Sequence, residues 1–292
     1  MKLATFDIAG RVTYGALVDG GLSDLGARFA ARFPDLRSAL AADAVAELAA
    51  AARDGEPRYS LEAVSFLPPI PQARIFCVGR NYKAHVAESG GAPPAFPSVF
   101  LRLPSSVVGH GQPMRLSPLS THYDYEGELA VVIGRGGRHI ARERALDHVA
   151  GYACFNEACY RDYQFKHSLA TGKNFAASGA FGPWLTTADE TGDPRALTLT
   201  TRLNGVQVQH APVSDLIFDI PFLVAYFSGI TPLEPGDVIS TGTPEGVGFA
   251  RTPPLWLKAG DEVEVEIGSV GLLRNRVERE VAPVESSVRS AA

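Results

Sequence analysis

Two glutamates separated by one glycine precede an apolar stretch near the middle of the sequence. Glu126 and Glu128 lead into the β-branched run at residues 129–133, which predicts a buried strand. Because side chains alternate along a strand, both carboxylates are expected on the same face. Neighbouring carboxylates that lose water need a positive partner, and hard oxygen ligands suit Mg²⁺, Mn²⁺ or Ca²⁺. The pattern therefore indicates a divalent-metal site; the alternative is a strand end whose glutamates face water.

A histidine and another glutamate lie downstream of the strand predicted at residues 74–78. If residues 80–88 are helical, His85 and Glu88 are neighbours on one face. A carboxylate raises the basicity of an imidazole and fixes its orientation, as a water-activating base requires. The glycine- and proline-rich residues that follow, 89–94, are typical of a mobile loop, so the segment is a candidate lid. The alternative is a solvated pair on a surface helix.

A third polar set follows the strand predicted at residues 151–155. A helix over residues 156–164 would place Glu157, Arg161 and Gln164 on one face, at a strand-to-helix junction where ligands commonly lie. The alternative interpretation of this set is a surface Glu–Arg ion pair.

Two further features are compatible with bound charge. Lys173 lies between a glycine and an asparagine, where it could balance a carboxylate cluster or be an ordinary loop lysine. The glycine-rich residues 241–248 offer backbone amides to an anion. They lack the spacing of a nucleotide-binding P-loop, so a nucleotide site is not expected there.

The composition is that of a soluble globular protein. Of 292 residues, 46% are hydrophobic and 20% charged, and the net charge of −5 argues against a nucleic-acid surface. The first residues do not resemble a signal peptide, and no apolar run has the roughly 20 residues that cross a bilayer. Cys77, Cys154 and Cys159 form no C-x-x-C pair, so we expect free thiols in a reducing cytoplasm.

The chain divides into a small leading module and a larger strand-rich part. Residues 1–70 are predicted to form a small N-terminal domain, with a hairpin in residues 1–18 and a helix over residues 38–53. Consecutive prolines end this module, because they extend neither a helix nor a central strand. Residues 71–282 are predicted as the catalytic domain, and residues 283–292 as a flexible tail.

The remaining elements are mainly short strands. The patterns predict short helices at residues 142–149 and 219–227, and strands at residues 197–203, 261–267 and 271–277. The Asn204-Gly205 pair indicates a tight hairpin. The predicted fold class is therefore α+β, mostly β.

Together these motifs resemble the fumarylacetoacetate hydrolase family over about residues 70–280. The matching stretches are C-V-G-R-N-Y-x-x-H-x-x-E at 77–88, D-Y-E-G-E-L-A-V-V-I-G at 124–134, G-Y-x-x-x-N-E-x-x-x-R-D-x-Q at 151–164, G-K-N-F at 172–175, L-N-G at 203–205 and L-E-P-G-D-V-I-S-T-G-T-P-x-G-V-G at 233–248. The resemblance implies a mixed β-sandwich roll, a homodimer, and Mg²⁺ or Mn²⁺ held by three carboxylates.

The resemblance also implies roles for particular residues. The metal ligands would be Glu126, Glu128 and Glu157, with Lys173 beside the ion. His85 and Glu88 would form the lid dyad that activates water. Substrate contacts would come from the four remaining matched positions, namely Arg161, Gln164, Thr243 and Arg80.

The third ligand departs from the family pattern. The family commonly has Asp where this chain has Glu157, and the extra methylene shifts the carboxylate. Mg²⁺ requires near-octahedral oxygens at about 2.0–2.1 Å, so the longer side chain predicts a preference for Mn²⁺ or Ca²⁺, weaker binding, or coordination through water.

The function implied is hydrolysis of a C–C bond in a 1,3-dicarbonyl 2-oxo acid, an acylpyruvate or fumarylpyruvate-like compound. The His85–Glu88 pair favours hydrolysis because its task is to make hydroxide. The alternatives are decarboxylation or keto–enol isomerisation through the same metal enolate, and a non-catalytic homologue that binds a small acid. The expected partner is a small 2-oxo acid, with no nucleic acid or membrane, in a cytoplasmic homodimer.

Overall fold

The structure, a computed structural model, describes residues 1–53 and 55–281. It contains one large mixed β-sheet, a smaller sheet packed against it, and short helices along the edges. The flexible tail predicted at residues 283–292 lies outside the described residues.

The strands are short, with two to nine residues each. In chain order they are β1 (Lys2–Ile8), β2 (Arg11–Val18), β3 (Gly21–Asp24), β4 (Tyr59–Ser60), β5 (Ser65–Phe66), β6 (Ile75–Gly79), β7 (Ser98–Arg102), β8 (Val107–Val108), β9 (Met114–Leu116), β10 (Tyr123–Asp124), β11 (Gly127–Ile133), β12 (Val149–Asn156), β13 (Cys159–Tyr160), β14 (Gly179–Thr187), β15 (Thr198–Leu203), β16 (Val206–Pro212), β17 (Val238–Ser240), β18 (Glu262–Ile267) and β19 (Gly271–Arg279).

The α-helices are α1 (Gly26–Phe29), α2 (Leu36–Ala41), α3 (Val45–Arg53), α4 (Lys83–Glu88), α5 (Arg161–Lys166), α6 (Leu169–Lys173), α7 (Ala188–Thr191) and α8 (Ile220–Ile230). Short 3₁₀ helices occur at Leu61–Ala63, Pro104–Ser106, Arg142–His148, Pro194–Ala196, Val213–Asp215 and Gly248–Ala250. Within the described ranges, every helix is too short or too polar to cross a membrane.

Most strands belong to two sheets. The 12-stranded sheet runs β4-β3-β2-β1-β14-β12-β11-β17-β6-β7, with β5 and β8 attached at β1 and β14. The second sheet runs β16-β15-β18-β19-β9, and β10 pairs with β13 alone. Because β1 pairs with β14, the N-terminal strands extend the large sheet. The division into two domains near residue 70 stays a prediction.

The central strand β11 separates two cores. All seven of its residues are buried. Leu129, Val131 and Ile133 pack in the core shared with the five-stranded sheet, whereas Ala130 and Val132 pack in the core beneath α2 and α3. By alternation, Glu128 within this strand and Glu126 just before it lie on the second face. The carboxylates are therefore placed on the face away from the sandwich interior.

Several sequence predictions are confirmed. The class is α+β and mostly β. The first residues form the β1–β2 hairpin, and Asn204-Gly205, both at positive φ, turns β15 into β16. The three cysteines are free and buried.

The helix predicted over residues 38–53 is wrong as one continuous element. It is divided into α2 and α3 because Asp43 adopts φ +54°, a left-handed conformation that a helix cannot contain. The amide of Ala44 then donates to the carbonyl of Ala39, which closes the first helix.

The helix predicted over residues 156–164 is also wrong in its first half. Only α5, beginning at Arg161, is helical. Asp124 pairs with Cys159 in the β10–β13 ladder, and this long-range pairing keeps the residues after β12 extended. Glu157 therefore does not share a helix face with Arg161 and Gln164.

Gly127→Ala tests the close approach of the two sheets beside the carboxylates. An added Cβ would lie 2.0 Å from Oγ1 of buried Thr201, so we expect a stability loss of roughly 2 kcal/mol in urea unfolding. Gly229→Ala is the matched control, because that helical glycine has open space and no unusual backbone angle. Equal stability of the two variants would contradict the close approach.

Candidate metal centre and active site

Three buried carboxylates meet where β11 begins and β12 ends. Gly127 and Asn156 are paired across these strands, which places Glu126 beside Glu157, and the amide of Glu157 donates to the carbonyl of Glu126 at 2.7 Å. One carboxylate oxygen from each of Glu126, Glu128 and Glu157 lies within 4.8 Å of the other two. All three residues are buried, with at most 5% of their surface exposed.

This donor set fits a divalent cation. In an octahedral site with metal–oxygen distances of about 2.1 Å, ligand oxygens are at most about 4.2 Å apart, and the larger Ca²⁺ allows more. The carboxylate oxygens of the triad lie within 4.8 Å of one another, a range that includes such distances. Oε1 of Glu157 is buried and accepts no hydrogen bond within the part of the chain that the structure describes. The longer side chain at position 157 thus still brings its carboxylate to the cluster.

Lys173, at the end of α6, provides positive charge at the triad. Its Nζ donates to Oε2 of Glu126 at 2.5 Å and to Oε2 of Glu157 at 3.2 Å. Burial opposes its charge, but these carboxylates outweigh burial and raise the pKa of Lys173 well above its usual range. The ammonium group is therefore a permanent cation next to the cluster.

Arg161 provides a second buried cation. Its Nε donates to Asp124 at 2.8 Å, its Nη1 donates to Oε1 of Gln164 at 3.1 Å, and its Nη2 lies 2.5 Å from Oε1 of Glu126. Burial disfavours the charged form of Arg161, but the nearby carboxylates of Glu126 and Asp124 outweigh burial and raise the pKa of Arg161 above its usual value. Arg161 thus contacts the carboxylate cluster directly, and Gln164 is connected to the cluster through Arg161.

Two neighbouring members of the triad differ in their proton affinity. Burial disfavours the charge of Glu126, but Arg161 and Lys173 outweigh burial and lower its pKa to about 2. Burial dominates at Glu128, and the nearby charges of Glu157 and Glu126 add to it, so the pKa of Glu128 is raised well above its usual range. A cation at the triad must therefore compete with a proton for Glu128.

The glycine-rich loop after β17 binds the protein's own carboxylates. The amide of Gly242 donates to Glu128 at 2.8 Å, and that of Gly246 donates to Glu88 at 2.9 Å. The amide of Gly248 donates to Asp124 at 2.7 Å. The anion-binding amides expected from the sequence are thus directed, at these three positions, to internal side chains.

His85 and Glu88 form the expected pair on α4. Nδ1 of His85 lies 2.8 Å from Oε1 of Glu88, so Nε2 is the nitrogen left to exchange a proton with a ligand. His85 is buried at the same cavity as the triad, and Glu88 is partly exposed.

These groups surround one small cavity of about 50 Å³. It is lined by Val78, Gly79, Arg80, His85, Phe100, Glu126, Glu128, Glu157, Arg161, Gln164, Leu169, Lys173 and Thr243. A buried water needs at least about 10–15 Å³ of such space, so the cavity has room for an ion and a few waters. Binding of an organic acid therefore requires the walls to move.

The remaining two predicted substrate contacts, Arg80 and Thr243, differ in exposure and in hydrogen bonding. Arg80 is exposed at the rim of the cavity and adopts φ +52°. The hydroxyl of Thr243 is buried, donates to the carbonyl of Gly127 at 2.9 Å and accepts from Gln209 at 2.8 Å. The hydroxyl proton of Thr243 is therefore already used within the protein, and the side chain shapes the cavity wall without offering a free donor to a ligand.

Sequence reasoning missed two buried charged residues of the site. Asp124 aligns Arg161, and its place at the start of the D-Y-E-G-E stretch was the available signal. Arg102 lies behind Glu157: its Nη1 donates to the carbonyl of Ala158 at 3.0 Å and lies 3.9 Å from Oε1 of Glu157. No local pattern indicates that the last residue of β7 is a buried cation.

Fold and site together define a β-rich enzyme class in which a buried carboxylate cluster fits a divalent metal. Residues 74–278 match the family described as Fumarylacetoacetate (FAA) hydrolase C-terminal. The chain belongs to the fumarylacetoacetate hydrolase family.

The relatives include enzymes with different reactions. The chain is 40% identical over 229 residues to oxaloacetate tautomerase YisK of Bacillus subtilis, covering 76% of each protein. It is similar to the solved fumarylacetoacetate hydrolase of Exiguobacterium antarcticum, with 33% identity, a TM-score of 0.81, and coverage of 96% of this chain and 100% of that one. It is also similar to maleylpyruvate hydrolase from Sphingobium sp. SYK-6 in complex with manganese and pyruvate, with 30% identity, a TM-score of 0.80 and the same coverage.

Proton release on metal binding tests the raised pKa of Glu128. A cation requires the carboxylate form, so binding of Mn²⁺ to metal-free protein is expected to release up to about one proton and to strengthen as pH rises toward that pKa. Calorimetry in two buffers of different ionisation enthalpy measures the released protons. Heats that do not depend on the buffer between about pH 5 and pH 8 would contradict this picture, and Glu128→Gln should abolish the release.

Arg102→Met tests the buried cation behind Glu157. The variant removes the donors to Ala158, Ser106 and Ser178 and leaves buried acceptors unpaired, so we expect a stability loss of roughly 3 kcal/mol. The control is Arg195→Met, at an exposed pair with Asp193, where stability should stay nearly unchanged. Urea unfolding measures both, and similar losses would rule out a special role for Arg102.

Proposed function

We propose that the protein is a divalent-metal-dependent keto–enol tautomerase of small 2-oxo dicarboxylic acids of the oxaloacetate type. The observation that carries the proposal is the convergence of the triad, Lys173 and His85 on one cavity. The similarity to an oxaloacetate tautomerase at 40% identity supports this reaction over its alternatives. We propose Mg²⁺ or Mn²⁺ as the metal, held by Glu126, Glu128 and Glu157.

Each participant has a chemical task. When bound, the metal would polarise the keto oxygen of the substrate and make the hydrogens on carbon 3 more acidic. Nε2 of His85 exchanges the proton at carbon 3, with the ring held by Glu88. Lys173 lies beside the triad, where its charge offsets negative charge on the substrate oxygen.

Arg161 and Arg80 supply charge for the carboxylates of the substrate. Nη2 of Arg161 is buried and makes no hydrogen bond among the described residues, so it can donate to a substrate carboxylate while Nε stays bonded to Asp124. Arg80 lies at the rim, in reach of a more distant carboxylate. Because the cavity is small, α4 moves outward to admit the acid and returns to exclude water.

Hydrolysis of a C–C bond is the second candidate. The 2.8 Å contact of His85 with Glu88 suits a base that deprotonates water for attack on a distal carbonyl. The similarity to maleylpyruvate hydrolase also favours this reaction. Both candidates use the same metal ligands and differ in whether water takes part.

We also propose that the protein works as a cytoplasmic homodimer.

The tautomerase proposal is tested by following the loss of the enol absorbance of oxaloacetate. Mn²⁺-loaded protein should accelerate ketonisation, metal-free protein should not, and His85→Ala should lower kcat by roughly 100-fold because it removes the proton-transfer group. His210→Ala, at an exposed histidine on β16, is the matched control and should keep full activity.

A parallel assay with an acylpyruvate separates the two candidates. Metal-dependent release of pyruvate without any effect on oxaloacetate would assign the protein to the hydrolases. Metal-dependent ketonisation without pyruvate release would support the tautomerase. Absence of metal-dependent turnover with either compound would overturn the proposed function.

A further inference from the structure

The backbone of Gly246 is bonded on two sides to different parts of the protein. Its amide donates to Oε2 of Glu88 at 2.9 Å, and Oε1 of the same carboxylate lies 2.8 Å from Nδ1 of His85. The bond therefore ties the end of α4, including the His85–Glu88 pair, to the loop that follows β17.

The carbonyl of Gly246 accepts from two side chains of the protein body. The hydroxyl of Tyr125 donates to it at 2.9 Å, and Nη2 of Arg251 donates to it at 3.0 Å. Arg251 also donates from Nε to the Tyr125 hydroxyl at 3.1 Å and from Nη2 to the carbonyl of Val208 at 2.7 Å. Two donors and their mutual contact thus fix one peptide carbonyl.

The conformation of Gly246 makes this arrangement specific. Its φ of +96° is a backbone state that favours glycine, and an added Cβ would lie 2.1 Å from the carbonyl of Val208. The loop therefore packs closely against β16 at Val208, which Arg251 also contacts. Because Tyr125 and Arg251 fix the carbonyl of Gly246, its amide is oriented toward Glu88 on α4.

The two ends of α4 are attached differently. At the start, Asn81 donates to the carbonyls of Thr241 and Phe218 at 2.7 and 3.0 Å. At the far end, the Glu88–Gly246 bond joins a partly exposed side chain to the loop. Among the described residues, α4 is thus held by two buried hydrogen bonds at its start and by the Glu88–Gly246 bond at its end, so its far end can open.

We propose that Arg251, together with Tyr125, is a positioning residue that holds Gly246 so that its amide latches the His85–Glu88 pair over the metal site. Arg251 acts through Gly246 and touches neither His85 nor the triad. The catalytic meaning of the latch rests on the proposed function, whereas the latch itself is a property of the protein without substrate.

Hydrogen–deuterium exchange of the Mn²⁺-loaded protein tests the latch. Arg251→Met should speed exchange of the amides in residues 83–91 by about tenfold, while α8 keeps its protection and Mn²⁺ affinity is unchanged. Glu88→Gln should produce a similar increase, because it weakens the same bond from the other side. The double variant should exchange no faster than either single variant.

Control variants keep the test decisive. Arg274→Met removes a guanidinium paired with Glu264 on the second sheet and should leave residues 83–91 unchanged. Arg251→Lys, which keeps one donor, should restore part of the protection, and Tyr125→Phe should speed exchange at the same residues. These two milder variants carry the test if Arg251→Met does not fold.

Two outcomes would overturn the proposal. One is unchanged exchange of residues 83–91 in both Arg251→Met and Tyr125→Phe, and the other is additive effects in the double variant. Failure of the proposed function is seen separately: faster exchange without any metal-dependent turnover would retain the latch and reject the tautomerase.

Discussion

Buried carboxylate charge is the constraint on which the site depends. Glu126, Glu128 and Glu157 are almost fully buried, and such a cluster is costly to bury without positive partners. Lys173 and Arg161 supply two cations, and backbone amides of the loop after β17 supply dipoles. The compensation is incomplete at Glu128, whose pKa is raised, and at Oε1 of Glu157, which is unpaired in the described residues. A divalent cation would complete the balance, so this imbalance of charge favours metal binding.

The architecture delivers these charges from separate parts of the chain. Strand β11 gives one face to the sandwich core and the other to the carboxylates, so the site rests on a rigid central strand. The loop after β17 then donates a hydrogen bond to Glu128 from Gly242 and another to Glu88 from Gly246. The proposed metal ligand Glu128 and the His85–Glu88 pair are therefore connected through one loop, so we expect a movement of α4 to affect the carboxylate cluster.

Local patterns were sufficient for the parts of the site that depend on nearby residues. The alternation of Glu126 and Glu128, and the spacing of His85 and Glu88 on a helix, follow from strand and helix periods alone. Glu157 was identified, but its setting was wrong, because pairing of β10 with β13 keeps that segment extended. Arg102 and Arg251 carry no local signal, since their partners lie far away in the sequence and only the folded sheet brings them together.

Anomalous diffraction from crystals soaked in Mn²⁺ tests the central claim most directly. We expect one manganese peak bonded to an oxygen of each of Glu126, Glu128 and Glu157, at about 2.0–2.4 Å, with Lys173 outside the coordination sphere. A manganese peak elsewhere, or none at the triad while the carboxylates keep their positions, would show that the buried cluster is balanced by Lys173 and Arg161 alone and that the metal-based account is wrong.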